Sequence, residues 1–445
     1  MLWLYLITVV LIFLLSFFTL KQDIFQPACL ASASFVISVA CAMINQSVWQ
    51  YEYHYSTIFV IASALIVFWF VNFCCLYGIK GKSISPRAKH GQALTLIKID
   101  GFLFACIILF ELVTIVLYYL EVLSITGGGL SFSSMMNAFR MMTSYSTSYS
   151  VSTIVSQMAK LALVISYVFS YILINNCFVN GLKKNIKFIV PLIIYCVLAI
   201  LTAERYNLLK LFIVCLFLFN ILYHKQKGVN KPFKLKTLAI IAVSVVGFFV
   251  LFWAVKSLVG RTSDSDLIYY IAQYAGGSIP GLDYFLQNPT SAEIWGQETF
   301  DALVENLISL GLLDADSYIS HLTFIYSNGV TIGNIYTTYR SWIHDFGFIG
   351  MFILEALCSL MVSVWYNIIK YKNPKPITYI TYSVFGYSIL LHSINEVFYS
   401  ANFCLGFLIT VIEIHIVMWA IKHVRFKHKR TKVSLDPNAH IRSMP

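Results

Sequence analysis

The stretch TLAIIAVSVVGFFVLFWAVK (237–256) runs for twenty residues and carries no charge before its closing lysine. Coiled as a helix, it is long enough to cross the roughly 30 Å of hydrocarbon in a bilayer. Runs of the same kind lie on both sides of it, at 2–20, 27–45, 56–78, 101–124, 161–179, 188–202, 207–223, 346–366, 377–398 and 402–421, which makes eleven expected spans. The sixth and seventh are short and are parted only by the polar knot TAERYN (202–207). The first span lacks a basic leading region and an A-x-A-like end, so no cleavable signal peptide is expected.

Composition agrees with that reading. Of 445 residues, 59% are hydrophobic and 11% charged, against about 25% charged in a soluble domain. Mean hydropathy is +0.76. So apolar a chain cannot cover itself with polar surface, which excludes a soluble multidomain protein, a disordered chain and a secreted disulfide scaffold. The ten cysteines all lie in or at the edge of apolar segments, and none lies between Ala254 and Asp345. They read as packing residues.

Basic residues cluster in alternate loops: Lys21, KGKSISPRAK with Lys98, LKKNIK (182–187), HKQKGVNKPFKLK (224–236), KYKNPK (370–375) and the C-terminal tail hold 24 of the 31 Lys+Arg. The positive-inside rule makes these loops cytoplasmic. With eleven spans, the N-terminus is then outside and the C-terminus inside. The net charge of +11 thus orients the chain and meets anionic headgroups, and no nucleic-acid partner is expected. The expected fold is an all-α polytopic membrane protein: eight spans within 1–256, a large outer helical loop over 257–345, three spans within 346–422 and a basic cytoplasmic tail over 423–445.

Ten acidic residues lie between Arg261 and Asp345, in a stretch read as a small helical cap lying on the outer face. Within it, ETFDALVENLISLGLL (298–313) places Phe300, Leu303, Leu307 and Leu310 on one helical face. A second outer loop (125–157) carries one cation, Arg140. No repeat is visible.

The chain has no HExxH, GxSxG or CxxC. GIKGKS (78–83) lacks the upstream glycine of a P-loop, because position 76 is Leu. No carboxylate and histidine cluster has convincing ligand spacing, so neither metal nor cofactor is expected. What remains is a set of cations outside the basic loops. Arg205, Arg261 and Arg340 sit at span ends beside aromatic and polar residues, where a planar guanidinium suits phosphate oxygens. The alternative is a snorkelling arginine without a ligand. In GNIYTTYRSWIHDFG (333–347), a spacing of four puts Tyr336, Arg340 and His344 on one helical face and Thr337, Ser341 and Asp345 on the next. That pattern suits a pyrophosphate clamp with a general base, or an interfacial network that anchors the helix. Tyr270 and Tyr274, with Asp266 one turn earlier, suit sugar rings, or an interfacial tyrosine belt. Glu111, Glu355, Glu396 and Glu413 lie within spans, where carboxylates are costly. His392 and Glu396 are read as an i, i+4 pair near the outer end of the tenth span, facing substrate or bridging two helices.

Three stretches carry a family resemblance: LTAERYNLLKLF (201–212), GRTSDSDLIYYIAQYAGGSIPGLDYFL (260–286) and GNIYTTYRSWIHDFGFIG (333–350). With one large outer loop between late spans, the chain resembles the bacterial Wzy-type O-antigen or oligosaccharide repeat-unit polymerases. The residue-level likeness covers these stretches, and the layout nearly the whole chain. The resemblance implies a fold like that of lipid-carrier-dependent (GT-C-like) glycosyltransferases. It implies transfer of a growing glycan from polyprenyl pyrophosphate onto a new lipid-linked repeat unit, in a bacterial inner membrane with the site facing the periplasm. It further implies that Arg205, Arg261 and Arg340 hold pyrophosphate, with Tyr270, Tyr274, Asn334 and Tyr336 near the sugars. Arg140 is a further substrate-binding candidate, and a chain-length regulator protein a further partner. The base, His344 or Asp345, is inferred from spacing alone. An O-antigen ligase shares this layout. A flippase or transporter would scatter charges through the bundle centre, and a sensor would show a soluble output domain.

Overall fold

The computed structural model describes residues 1–80, 90–145, 149–229, 231–256, 258, 266–314, 322–372 and 374–424. The chain is a helical, multi-pass membrane protein. The first half contains α1 (Leu2–Thr19), α2 (Pro27–Trp49), α3 (Tyr55–Lys80), α4 (Gly101–Thr126), α5 (Phe132–Tyr145), α6 (Thr153–Asn180), α7 (Val190–Leu201) and α8 (Arg205–Lys227). Then follow α9 (Leu235–Ala254), α10 (Leu267–Gly276), α11 (Ser278–Gln287), α12 (Asp301–Ser309), β1 (Ile325–Ser327) and β2 (Val330–Gly333). The chain continues with α13 (Thr338–Lys372), α14 (Pro376–Gly386), α15 (Phe398–Asn402) and α16 (Leu405–His423).

Among the described residues, nine helices are long and apolar enough to cross a membrane, and the apolar segments Ile186–Leu201 and Pro376–Leu391 are shorter. Lipid must complete the solvation of several. Helix α9 has no buried residue, and Ile240, Val243 and Leu251 are 55%, 72% and 65% exposed. A helix apolar all round and uncovered by protein is stable only against hydrocarbon. It rests on α8 through Phe212 and Phe248, stacked at 4.3 Å.

Contacts sort the loops to two ends. At the basic end, Asp23 accepts from Tyr366 Oη at 2.8 Å and pairs with Lys370, and the Gln92 amide donates to the Lys225 carbonyl. The other end, here the cap end, gathers the α2–α3 loop, α5, α10 to α12 and the antiparallel β1–β2 pair. That hairpin is a strand element in a chain read as all-helical.

Four expectations are corrected. The seventh span is a full 23-residue helix. The tenth is broken: α14 stops at Gly386, a single 3-10 turn covers Tyr387–Leu391, and the chain is unwound until Phe398. His392 and Glu396 therefore share no helical face. Neighbouring groups take over the helix's own ladder there. Thr338 donates its N–H to the His392 carbonyl (3.2 Å) and its hydroxyl to the Asn395 carbonyl (2.9 Å), so unwound backbone stays satisfied inside the protein.

The cap does not simply lie on the surface. Helix α10 runs beside α2: Asn45 Nδ2 donates to the Tyr269 carbonyl at 3.3 Å, and a Cβ on Gly276 would stand 2.4 Å from Ala42 N. Ala42 is seven residues short of the end of α2, so α10 reaches about 10 Å into the bundle. Only a glycine permits that approach. The chain turns at Gly276–Gly277 and α11 returns, anchored by Asp283. This fully buried carboxylate accepts from Thr57 Oγ1 (2.6 Å) and His54 N (2.9 Å). At α12, Phe300 packs against Phe346 and Tyr399 and Val304 is buried, while Leu303 and Leu310 are exposed, so only part of the expected apolar face is covered.

Candidate functional site

Arg205 opens α8 after a tight reversal in which Ala203 adopts φ 55°. The neighbouring carboxylate does not reach it, because Glu204 accepts from Asn207 Nδ2 at 2.8 Å. The Arg205 guanidinium lies among ring faces instead: 4.5 Å from the centre of Phe252, 5.4 Å from Tyr270 and 5.7 Å from Tyr274. It donates to the Phe252 carbonyl at 3.4 Å and to Tyr274 Oη at 3.5 Å, both at the long limit of a hydrogen bond. Lys256 shares the Tyr270 ring at 5.4 Å. Arg205 is only 4% exposed, yet among the described residues no carboxylate lies within 4.0 Å of it. The structure thus brings Arg205, Tyr270 and Tyr274 together. Cation–π contact offsets part of the cost of taking this charge out of water, and the planar fork keeps donors for an anion.

Arg340 is placed differently. It pairs with Glu298, 42 residues earlier in the chain, and lies 5.1 Å from the Phe285 ring and 5.2 Å from the Tyr336 ring. His344 Nδ1 lies 3.4 Å from Glu298 Oε1 and 3.1 Å from Asp345 Oδ1. Asp345 Oδ2 accepts from the backbone N–H of Glu298 (3.0 Å) and Thr299 (2.7 Å). Its carboxylate is thereby committed to holding the turn before α12 and to orienting His344. Tyr336 joins the group but not the helix, which begins at Thr338; this corrects the expected four-residue stripe. Its hydroxyl donates to the Thr323 carbonyl at 2.9 Å. Gly347, at φ 67°, separates Thr338–Phe346 from the span that follows, so the site-bearing turns form a unit of their own. Asp301, at the start of α12, is pushed up to about 7 by burial and by the negative charges of Glu305 and Asp345.

The two arginine groups share no residue. They are linked through α10 and α11, which carry Tyr270, Tyr274 and Phe285. Arg261 lies outside the described residues. Arg140, on α5, donates to Asn137 Oδ1 at 3.0 Å and joins neither group. Asn334 follows β2, half-buried. His392 Nε2 meets Glu355 Oε2 at 2.9 Å, and Tyr339 Oη donates to Glu355 Oε1 at 2.9 Å; all three are fully buried, a core network rather than a surface pair. Glu396 accepts from the N–H groups of Tyr399 and Ser400 and so caps α15. Glu111 is buried at 1%, and neither carboxylate oxygen has a hydrogen-bond partner among the described residues.

Two features escaped the sequence reading. Glu298 was one acid among ten, with nothing local to mark it as the partner of Arg340. His54, half-exposed, places Nδ1 2.8 Å from buried Asp283; a histidine in a short loop between spans gives no signal of such a dyad. No protein-family model, no curated protein and no solved structure matches this chain.

Proposed function

We propose that this protein is a glycosyltransferase that polymerises polyprenyl-pyrophosphate-linked oligosaccharide repeat units, with the cap end facing the outside of a bacterial inner membrane. The observation that carries this reading is Arg205: a buried guanidinium, walled by aromatic rings, with no carboxylate partner among the described residues. Such a group favours a phosphate-bearing ligand at the membrane border, and the Tyr270 and Tyr274 rings favour a sugar beside it. Two separate arginine groups suit a reaction between two lipid-linked substrates. An open apolar recess lined by Leu360, Trp365, Ile368, Phe385 and Phe403 suits a prenyl chain on the flank of the bundle.

In this reading Arg205 and Lys256 neutralise one lipid pyrophosphate, and the Arg340 group serves the transfer. His344, oriented at Nδ1 by Asp345 and Glu298, takes the proton of the acceptor hydroxyl. The hydroxyl oxygen bonds to the anomeric carbon, and the bond to pyrophosphate breaks with its electron pair leaving on the phosphate. Arginine meets the charge as it develops; Arg261 belongs to the same proposal. No metal is required by this scheme.

The test uses purified protein and lipid-linked repeat units. Arg205→Ala should shorten the glycan ladder, with Arg205→Lys between it and wild type. Lysine keeps the charge but loses the fork, and a charge-assisted hydrogen bond is worth roughly 1.5–3 kcal/mol, about one to two powers of ten in rate. Full-length ladders from Arg205→Ala would overturn the assignment. In the native host, gene deletion should leave single-repeat glycan; accumulation of carrier-bound polymer would instead indicate a ligase.

A further inference from the structure

Two other cations outside the basic loops, Lys160 and Lys210, belong to neither arginine group. Lys160 lies seven residues into α6 and Lys210 five into α8, so they sit about 10 Å and 8 Å below the cap-end starts of those helices. Their side chains converge on the start of α16. Lys160 Nζ and Cys404 Sγ both stand 3.4 Å from where a Cβ on Gly406 would be, and Lys210 is an electrostatic neighbour of both Cys404 and Lys160. Lys210 Nζ also lies 4.7 Å from the centre of the Tyr387 ring. Tyr387 Oη shares a 2.6 Å hydrogen bond with Tyr206 Oη. Beside them Tyr167, 1% exposed, has a hydroxyl with no partner among the described residues.

Glu413, on α16, is an electrostatic neighbour of Lys160, and buried Glu396 lies near the Tyr206–Tyr387 pair. Neither lysine makes an ion pair within 4.0 Å among the described residues. Two ammonium groups with no ion pair among the described residues stand at hydrocarbon depth, where a charge without a direct counter-ion is expensive. Leu405 and Gly406 add free N–H groups at the start of a 19-residue helix whose cap makes no side-chain hydrogen bond. We propose that Lys160 and Lys210 bind the phosphate of a membrane-inserted lipid between α6, α8 and the start of α16. Depth selects a lipid over a soluble anion, because its chains stay in hydrocarbon while its phosphate reaches the lysines. Five residues along a helix turn by about 140°, so Arg205 and Lys210 face different sides of α8. The start of that helix divides two anion sites. This inference does not rest on glycan transfer.

Purified full-length protein with Arg205→Ala, which silences the other side of α8, is placed in phosphatidylcholine nanodiscs. It is titrated with undecaprenyl phosphate, phosphatidylglycerol or inorganic pyrophosphate, and bound ligand is counted by native mass spectrometry. Saturable binding of at least one anionic lipid is expected, the tighter of the two identifying the natural source, with inorganic pyrophosphate far weaker. Adding Lys160→Gln or Lys210→Gln should weaken lipid binding about tenfold, while Lys→Arg at either position should retain it. Glu413→Gln should tighten binding by removing the opposing charge, which a merely structural carboxylate would not do. Unchanged binding in the Lys→Gln proteins, weaker binding in Glu413→Gln, or pyrophosphate binding as tight as lipid would each overturn the proposal. Should the glutamine variants misfold, the arginine and Glu413→Gln proteins still decide it. Failure here leaves the Arg205 ladder test untouched.

Discussion

Arg205 and Arg340 stand at the same end of the bundle, at 4% and 9% exposure, each against aromatic rings and each at the start of a membrane-spanning helix. Among the described residues, one has a carboxylate partner and the other has none. Arg340 is matched by Glu298 and bordered by His344 and Asp345, so its charge is balanced within the fold. Arg205 relies on Phe252, Tyr270 and Tyr274, which soften its desolvation without neutralising it. A paired arginine holds structure and orients neighbours; one of similar burial with no carboxylate among the described residues keeps its guanidinium donors for an anion.

The largest difference should appear in stability. Arg340→Ala strands Glu298 as a buried, unmatched carboxylate, a defect of about 3–5 kcal/mol, and should lower the thermal unfolding midpoint sharply. Glu298→Gln in the same protein should recover much of that loss. Arg205→Ala strands no anion and should melt close to wild type; a midpoint as low as that of Arg340→Ala would erase the distinction.

A smaller effect should separate the aromatic wall from the charge. Replacing Tyr270 or Tyr274 by Leu removes a cation–π contact of up to about 2 kcal/mol and should weaken binding of undecaprenyl pyrophosphate by about tenfold or more. Phenylalanine at either position keeps the ring face and should bind nearly as wild type. Loss with Phe as great as with Leu would shift the role to the hydroxyls.

A third difference concerns pH. The Asp301 carboxyl is raised from its ordinary range to about 7, so folding favours its protonated form. The resulting stabilisation is fully present below about pH 4 and is lost as pH rises toward 7. Asp301→Asn cannot ionise. It should match wild type near pH 4 and be the more stable of the two near pH 8, measured by thermal unfolding in detergent. Parallel curves at both pH values would remove the burial of Asp301 as their cause.

The positions of the spans were legible because run length against hydrocarbon thickness is a local property. Helix α9 needed no partner to be read, and helical spacing paired Tyr270 with Tyr274; only the family resemblance set Arg205 beside them. What escaped depends on contacts distant in sequence. The tenth span is apolar enough to read as one helix, yet Glu355 draws His392 away and Thr338 takes its carbonyls. Glu298 meets Arg340 only after α11 has turned back at Gly276–Gly277. The β1–β2 hairpin is too short to carry an alternation, and it is tied down by Asn328 Nδ2 donating to the Val48 carbonyl at 3.0 Å, a contact no local pattern announces.

Thr338 is hydrogen-bonded to carbonyls of the broken tenth span, so the position of the turns that carry Arg340 and His344 is set from the membrane side. The loop between Gln287 and Thr338 can therefore lengthen or shorten without moving those turns, provided Glu298 still reaches them. Such a layout separates what must stay fixed from what is free to drift. Descendants of one ancestral chain could change the loop alone, each keeping Arg340 and His344 at the same depth.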